Sequence, residues 1–105
     1  MKVLFLPDVE EYLFELMDIL YQKQYFSYYD SAISYVEDLV NNIQDSLCVE
    51  LKKKAPEYFS RYGKDMYYVK YKKNHNTQWY VFFTIHDDVC LVRYITNNHV
   101  CSQHL

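Results

Sequence analysis

The stretch QWYVFFTIHDDVCLVRYI, residues 78–95, contains two apolar runs on either side of a short polar turn. The first run covers residues 78–85 and the second covers residues 89–95. Runs rich in aromatic and β-branched residues, joined by a few polar ones, are typical of a β-hairpin. We therefore predict a hairpin at this point of the chain, followed by a polar tail that carries His99 and His104.

Two amphipathic helices are predicted upstream of the hairpin. The first runs from about Pro7 to Gln24, with a proline that suits the first helical position and acidic residues in the first turn. The second runs from about Tyr28 to Leu51, where apolar residues recur at intervals of three and four. Residues 27–30 (SYYD) are similar to a capping box with Asp in place of Glu. The short connection between the helices predicts an antiparallel helical hairpin.

Two more segments complete the predicted sheet. Residues 2–6 have the pattern of a short first strand. Residues 66–73 alternate as a tyrosine-rich strand in which Lys70 and Lys72 share one face. Between the second helix and this strand, residues 52–65 contain a proline and a glycine and are predicted to be a loop.

The predicted order of elements is therefore βααβββ. This order makes the chain an α+β protein, with a helical hairpin packed on one face of a small, mainly antiparallel sheet. At 105 residues, and without an internal repeat or a linker, the chain is expected to be one domain spanning residues 1–105.

The composition excludes several functional classes. Gly63 is the only glycine, so the chain has no glycine-rich phosphate-binding loop. No apolar run approaches the roughly 20 residues that span a membrane, and the start lacks the pattern of a secretory signal. The three cysteines show no CxxC spacing. We therefore expect a cytoplasmic protein with reduced thiols and no membrane association.

The net charge of −3 conceals an uneven distribution of charge. Residues 1–51 contain two basic and ten acidic residues, whereas residues 52–73 contain eight basic and two acidic ones. The eight basic residues are Lys52, Lys53, Lys54, Arg61, Lys64, Lys70, Lys72 and Lys73. This block is either a surface that binds a polyanion or a solvated face that pairs with the acidic helices.

Other features also leave alternatives open. Arg93, within an apolar strand, is either a functional group that reaches a cleft or a partner for a helix carboxylate such as Glu11 or Asp18. The thirteen tyrosines either stack on nucleic-acid bases or contact a protein partner, and a partner surface is the preferred use for some of them.

The spacing of His99, Cys101 and His104 superficially suggests a metal site. Zinc requires a fourth ligand and a closed geometry, and Cys90 is the only nearby sulfur in the sequence. We therefore predict neither a metal nor any other cofactor.

Three segments, taken in order, resemble the RelE/ParE superfamily of toxins from type II toxin–antitoxin systems, also known as the plasmid stabilisation family. Residues 5–13 (FLPDVEEYL) resemble the start of the family, where a strand enters a helix through a proline and acidic residues. Residues 80–88 (YVFFTIHDD), followed by LVR at 91–93, resemble its central hairpin. Residues 96–99 (TNNH) resemble the tail of its ribonuclease subgroup, where a histidine is catalytic.

The resemblance implies a RelE/ParE-like βααβββ fold and a metal-independent endoribonuclease that cuts mRNA on the ribosome. In this reaction the ribose 2′-OH attacks the adjacent phosphate, which requires a base, an acid and cations. By motif position His99 would be the acid/base, with His104 as an auxiliary, and Lys70, Lys72 and Arg93 would be the phosphate-side cations. The remaining basic residues of the block, Lys52, Lys53, Lys54, Arg61, Lys64 and Lys73, would bind RNA. The partners would be a cognate antitoxin, the ribosome and mRNA, whereas the oligomeric state stays open.

Two alternatives remain open because the chain departs from the ribonuclease pattern. Tyr80 stands where ribosome-dependent members carry an arginine, and the chain is acidic overall, whereas the ribonucleases are generally basic. The first alternative is a non-enzymatic inhibitor of DNA gyrase, as in the ParE branch. The second is a catalytically silent member that only binds its antitoxin.

Overall fold

The computed structural model of the chain describes residues 1–101 and Leu105. The chain forms a five-stranded sheet with two long helices on one face. The elements, in order, are β1 (Lys2–Phe5), α1 (Pro7–Gln22), α2 (Tyr29–Ser46), β2 (Lys53–Lys54), a 3-10 helix (Glu57–Tyr62), β3 (Tyr67–Lys72), β4 (Gln78–His86), β5 (Val89–Asn97) and α3 (Asn98–Cys101). The predicted α+β class is thereby confirmed.

The sheet is mixed, with the strand order β1-β5-β4-β3-β2. The first strand pairs in parallel with β5, and Lys2 lies opposite Val89. The other three pairings are antiparallel, so β3, β4 and β5 form the predicted meander. Parallel strands cannot be joined by a tight turn, and β1 and β5 are far apart in the chain, with both long helices and three strands between them.

The main core lies between the two long helices and the sheet. It is built from α1 residues such as Leu13, α2 residues such as Leu39, and the strand residues that point toward them, including Val81 and Phe83. Trp79 is 2% exposed. Its indole Nε1 donates a hydrogen bond of 2.9 Å to the hydroxyl of Tyr35. This bond gives the buried indole N–H the partner that a buried polar group needs.

A second, smaller core lies on the opposite face of the sheet. Phe59, from the 3-10 helix, packs there with Met66, Tyr80 and Phe82. The ring centroids of Phe59 and Phe82 are 4.4 Å apart. The prediction that residues 52–65 are an irregular loop was therefore wrong. The sequence conceals this element because one buried aromatic residue anchors it, and a single apolar position produces no periodicity.

The helix boundaries also differ from the prediction. The second helix ends at Ser46 rather than near Leu51. After it, the backbone N–H of Val49 donates a hydrogen bond to the carbonyl of Ser46, which closes a turn. This turn lets the chain leave the helix face and reach β2. The predicted capping box is wrong: the helix begins one residue later, with Tyr28 as N-cap, and no side chain caps it.

Replacing Phe59 by alanine is expected to lower the free energy of unfolding by about 3–5 kcal/mol, because the substitution opens a cavity in the second core. Urea denaturation measures the effect. The neighbouring exposed Ser60 is the control, and Ser60→Ala should change the free energy of unfolding by no more than about 0.5 kcal/mol. Equal effects of the two changes would show that the 3-10 helix is not packed on the sheet.

Candidate functional site

The sheet face opposite α1 and α2, here called the open face, carries two of the predicted site lysines. Along β3, Val69 points into the main core, whereas Tyr68 packs with the second core on the other side. Alternation along the strand therefore places Lys70 and Lys72 on the open face. Both lysines are exposed. Their charges are available to a ligand on this face.

The pairing register gives these lysines their neighbours. Lys70 lies opposite Tyr80 on β4, and Tyr80 lies opposite Thr96 on β5. Lys72 lies opposite Gln78. Tyr80 is only 8% exposed. Its ring is therefore mainly packed in the second core, and little of it is in contact with solvent. The open face therefore presents two exposed ammonium groups beside the largely buried ring of Tyr80.

Arg93 reaches the same face through a β-bulge. Phe82 pairs with Tyr94 while Phe83 pairs with Val92, so Arg93 is the extra residue on β5. A bulge places two consecutive side chains on one side of the sheet, which strict alternation would forbid. The sequence offers no sign of this insertion, because both strands have uninterrupted apolar runs.

The guanidinium of Arg93 is held by a hydroxyl. Its Nε donates a hydrogen bond of 2.9 Å to Thr84 Oγ1. Thr84 Oγ1 in turn lies 2.8 Å from Nε2 of His86. Arg93 also lines a pocket of about 370 Å³ with Tyr62 and Asp8. The two alternatives for Arg93 were a group that reaches a cleft and a partner for a helix carboxylate. In the structure the guanidinium lies in a cleft and donates its hydrogen bond to the neighbouring strand β4.

Thr84 and His86 form a polar network with Arg93 that the sequence pattern did not predict. Arginine has only donors, so Thr84 accepts from Arg93, and its own hydroxyl hydrogen is then available for His86. In the Nδ1–H tautomer Nε2 of His86 accepts that hydrogen, whereas in the Nε2–H tautomer the ring donates to the second lone pair of Thr84 Oγ1. The available signal was the i, i+2 spacing of Thr84 and His86, which puts both side chains on one face of a strand.

The eight basic residues of segment 52–73 do not share one surface. The Lys52 Nζ lies 5.2 Å from the ring centre of Tyr67, and the Lys73 Nζ lies 4.7 Å from that of Tyr35. Both rings belong to the helix side of the sheet. Cation–π contacts draw these two lysines toward the helices, so the alternative of a polyanion-binding surface does not bring all eight residues onto one face.

Other basic residues of the segment lie around the 3-10 helix. The guanidinium carbon of Arg61 is 4.7 Å from the ring centre of Tyr58. Lys54 and Lys64 line a pocket of about 440 Å³, and Lys53 and Lys54 form the exposed strand β2. Lys53 pairs with Tyr68 and therefore shares the open face with Lys70, whereas Arg61, Lys54 and Lys64 lie beside the second core.

His99 lies on the helix side of the molecule. It belongs to the short helix α3, and its Nε2 is 3.3 Å from Thr77 Oγ1. It lines a pocket of about 650 Å³ together with Tyr12 of α1, Tyr35 of α2 and Trp79. Burial raises the pKa of Tyr12 and of Tyr35 above the ordinary value for a phenol.

The structure therefore separates the predicted acid/base from the predicted cations. His99 contributes to the helix-side pocket, whereas Lys70, Lys72 and Arg93 belong to the open face. His104 and the side chain of Cys101 lie outside the described residues. Among the side chains that the structure does describe, no group of three or more His, Cys, Asp or Glu residues could hold a metal ion.

Comparison of the chain with protein-family models, with curated proteins and with solved structures finds no match. Within residues 1–101 and 105, no helix combines the length and apolar character needed to cross a membrane. The assignment of a function therefore depends on the geometry of the two faces.

Replacing Thr84 by valine is expected to change the tautomer populations of His86, because valine can neither donate a hydrogen bond to Nε2 nor accept one from it. The ¹⁵N chemical shifts of the imidazole nitrogens report the tautomer. His75, which is exposed in the β3–β4 turn, is the internal control and should not change. The variant should also lose about 1–3 kcal/mol of stability, because it leaves the Nε–H of Arg93 without its acceptor. An unaltered His86 spectrum would contradict the network.

Proposed function

We propose that the protein is a RelE/ParE-like toxin of a type II toxin–antitoxin pair, and that it acts on mRNA through the open face of its sheet. The observation that carries the proposal is the position of Lys70, Lys72 and Arg93 on this one face. Ammonium and guanidinium groups are the side chains by which proteins commonly bind phosphate groups.

The architecture supports the fold part of the proposal. Strand β1, a helical hairpin and a three-stranded antiparallel meander follow one another as in the βααβββ order of the resemblance. Short strand β2 and the 3-10 helix are additions between α2 and β3. They cover one end of the open face and leave the Lys70–Lys72 end exposed.

The reaction expected on this face is attack of a ribose 2′-OH on the adjacent phosphate. Lys70 and Lys72 would neutralise the phosphate, whose negative charge grows more crowded as the fifth oxygen approaches. Arg93, oriented by Thr84, would contact a neighbouring phosphate. Solvent water at this exposed face would take the 2′-OH proton and protonate the leaving 5′-oxygen, because His99 lies on the other side of the sheet. This assignment replaces the role that the motif TNNH implies.

The double variant Lys70→Ala/Lys72→Ala tests the proposal directly. It is expected to weaken binding of a single-stranded RNA oligonucleotide and to lower the slope of log K against log salt by about 1–2, because fewer counterions are released. Fluorescence anisotropy over a salt series measures this slope. The charge-matched control is Lys23→Ala/Lys73→Ala, which removes two lysines of the helix side and should leave the slope unchanged.

The same variants distinguish the activity in cells. Induction of the wild-type protein should arrest growth and create new 5′ ends within translated mRNA, and the Lys70/Lys72 variant should lose both effects. The His99→Ala variant should retain them. Loss of toxicity in His99→Ala, with the fold intact, would return the acid/base role to this histidine and overturn the assignment to the open face.

A second candidate function is inhibition of a protein target such as DNA gyrase. The observation in its favour is the apolar surface of the acidic helical hairpin, where Phe14 is 70% exposed. Phe14 and Met17 line a groove of about 390 Å³ with Glu10 and Glu37 on its rim. Exposed apolar surface framed by charge is typical of protein-binding sites. We assign this groove to the antitoxin in the leading proposal and to the target in the second.

Phe14→Ala separates these two functions. If the groove binds the antitoxin, the variant should remain toxic but escape neutralisation when the two proteins are co-expressed. If the groove binds the target, the variant should lose toxicity, and mRNA should stay intact when the wild-type protein arrests growth. The exposed Glu15 is the neighbouring control, and Glu15→Ala should behave as the wild type in both assays.

A further inference from the structure

Two cysteine side chains meet where the chain leaves α2 and passes the sheet. Cys48 lies in the turn after α2 and is half-buried, whereas Cys90, the second residue of β5, is 1% exposed. Their Sγ atoms are 2.8 Å apart although the residues are separated by 42 positions in sequence. Both are free thiols. The contact brings two oxidisable sulfurs together, as disulfide formation requires.

The two thiols differ in reactivity. Burial, together with the neighbouring Cys48 thiol, raises the pKa of Cys90 to about 12, so this sulfur is protonated near neutral pH. Cys48 is the more accessible of the two. Because the thiolate is the nucleophile and needs access to the oxidant, Cys48 is the sulfur that meets an oxidant first. Cys90 is placed to act second.

We propose that Cys48 and Cys90 form an oxidation site that closes a reversible disulfide between the end of α2 and β5 when hydrogen peroxide reaches Cys48. The Cys48 thiolate attacks one peroxide oxygen, the O–O bond breaks, and hydroxide leaves a sulfenic acid behind. The sulfur of Cys90 then attacks the sulfur of Cys48. The S–O bond breaks, and a second hydroxide leaves. The two thiol protons convert both hydroxides to water, so two thiols and one peroxide yield one disulfide and two waters.

This site is independent of the proposed toxin function. The disulfide would close a loop that contains β2, the 3-10 helix, β3 and β4. Closing a loop of this length reduces the conformational freedom of the unfolded chain. The oxidised protein should therefore melt about 5–15 °C above the reduced protein. A thiol reductant should reverse the shift, because thiol–disulfide exchange reopens the bond.

The sequence makes the experiment direct, because trypsin places the cysteines on three different peptides. They are residues 24–52, 74–93 and 94–105, which contain Cys48, Cys90 and Cys101 respectively. The purified full chain is reduced, treated with a small excess of hydrogen peroxide, alkylated and analysed by intact and peptide mass spectrometry. We expect a mass loss of about 2 Da, a linked pair of peptides 24–52 and 74–93, and a free thiol on 94–105.

Matched variants complete the test. Cys48→Ser should abolish both the linked peptides and the rise in melting temperature, whereas Cys101→Ser should preserve both. Since Cys48 is only half-buried, its serine variant is a milder change than replacement of Cys90. Three results would each overturn the proposal. They are Cys48 and Cys90 that can still be alkylated after peroxide treatment, a disulfide that involves Cys101, and a sulfenic acid that persists on Cys48.

Discussion

The burial of β4 on both of its faces is the constraint on which the rest of the structure depends. Every residue from Trp79 to Thr84 is no more than 8% exposed. A strand in this environment requires two covers, and the chain supplies them from different places. The helical hairpin covers the side of Val81 and Phe83, and the 3-10 helix covers the side of Phe82. The two covers are unequal in size, and this inequality creates the exposed part of the open face.

The position of charge follows from these covers. Where the helices pack, lysines at the edges of the core lie over aromatic rings, as Lys73 does over Tyr35. Where the smaller cover ends, Lys70 and Lys72 extend into solvent from a rigid strand. Arg93 joins them because a bulge in β5 turns one more side chain to the same face. Positive side chains thus reach one face of the sheet on a chain whose net charge is negative, and such local positive charge favours contact with phosphate groups.

The two sides of the sheet offer different chemistry. The helix side combines an aromatic pocket, His99 and an acidic helical hairpin with exposed apolar groups, features suited to contact with a protein. The open side combines cations with a polar network through Thr84 and His86. In the proposed toxin, the helix side would bind the antitoxin and the open side would bind RNA. The thiol pair lies beneath the hairpin and links the helices to β5 without using either surface.

The sequence by itself determined the elements whose patterns are local: the helical hairpin, the meander, the α+β class and the shared face of Lys70 and Lys72. These depend on periodicity, which each segment carries within itself. Only the tertiary structure decided the rest. The 3-10 helix is held in place by the packing of Phe59 on Phe82. The bulge at Arg93 depends on the register between β4 and β5. The contact between Cys48 and Cys90 joins residues that are 42 positions apart in the sequence. The motif that contains His99 also could not predict on which side of the sheet this residue lies, because spacing along the chain does not specify which face the C-terminal segment will approach.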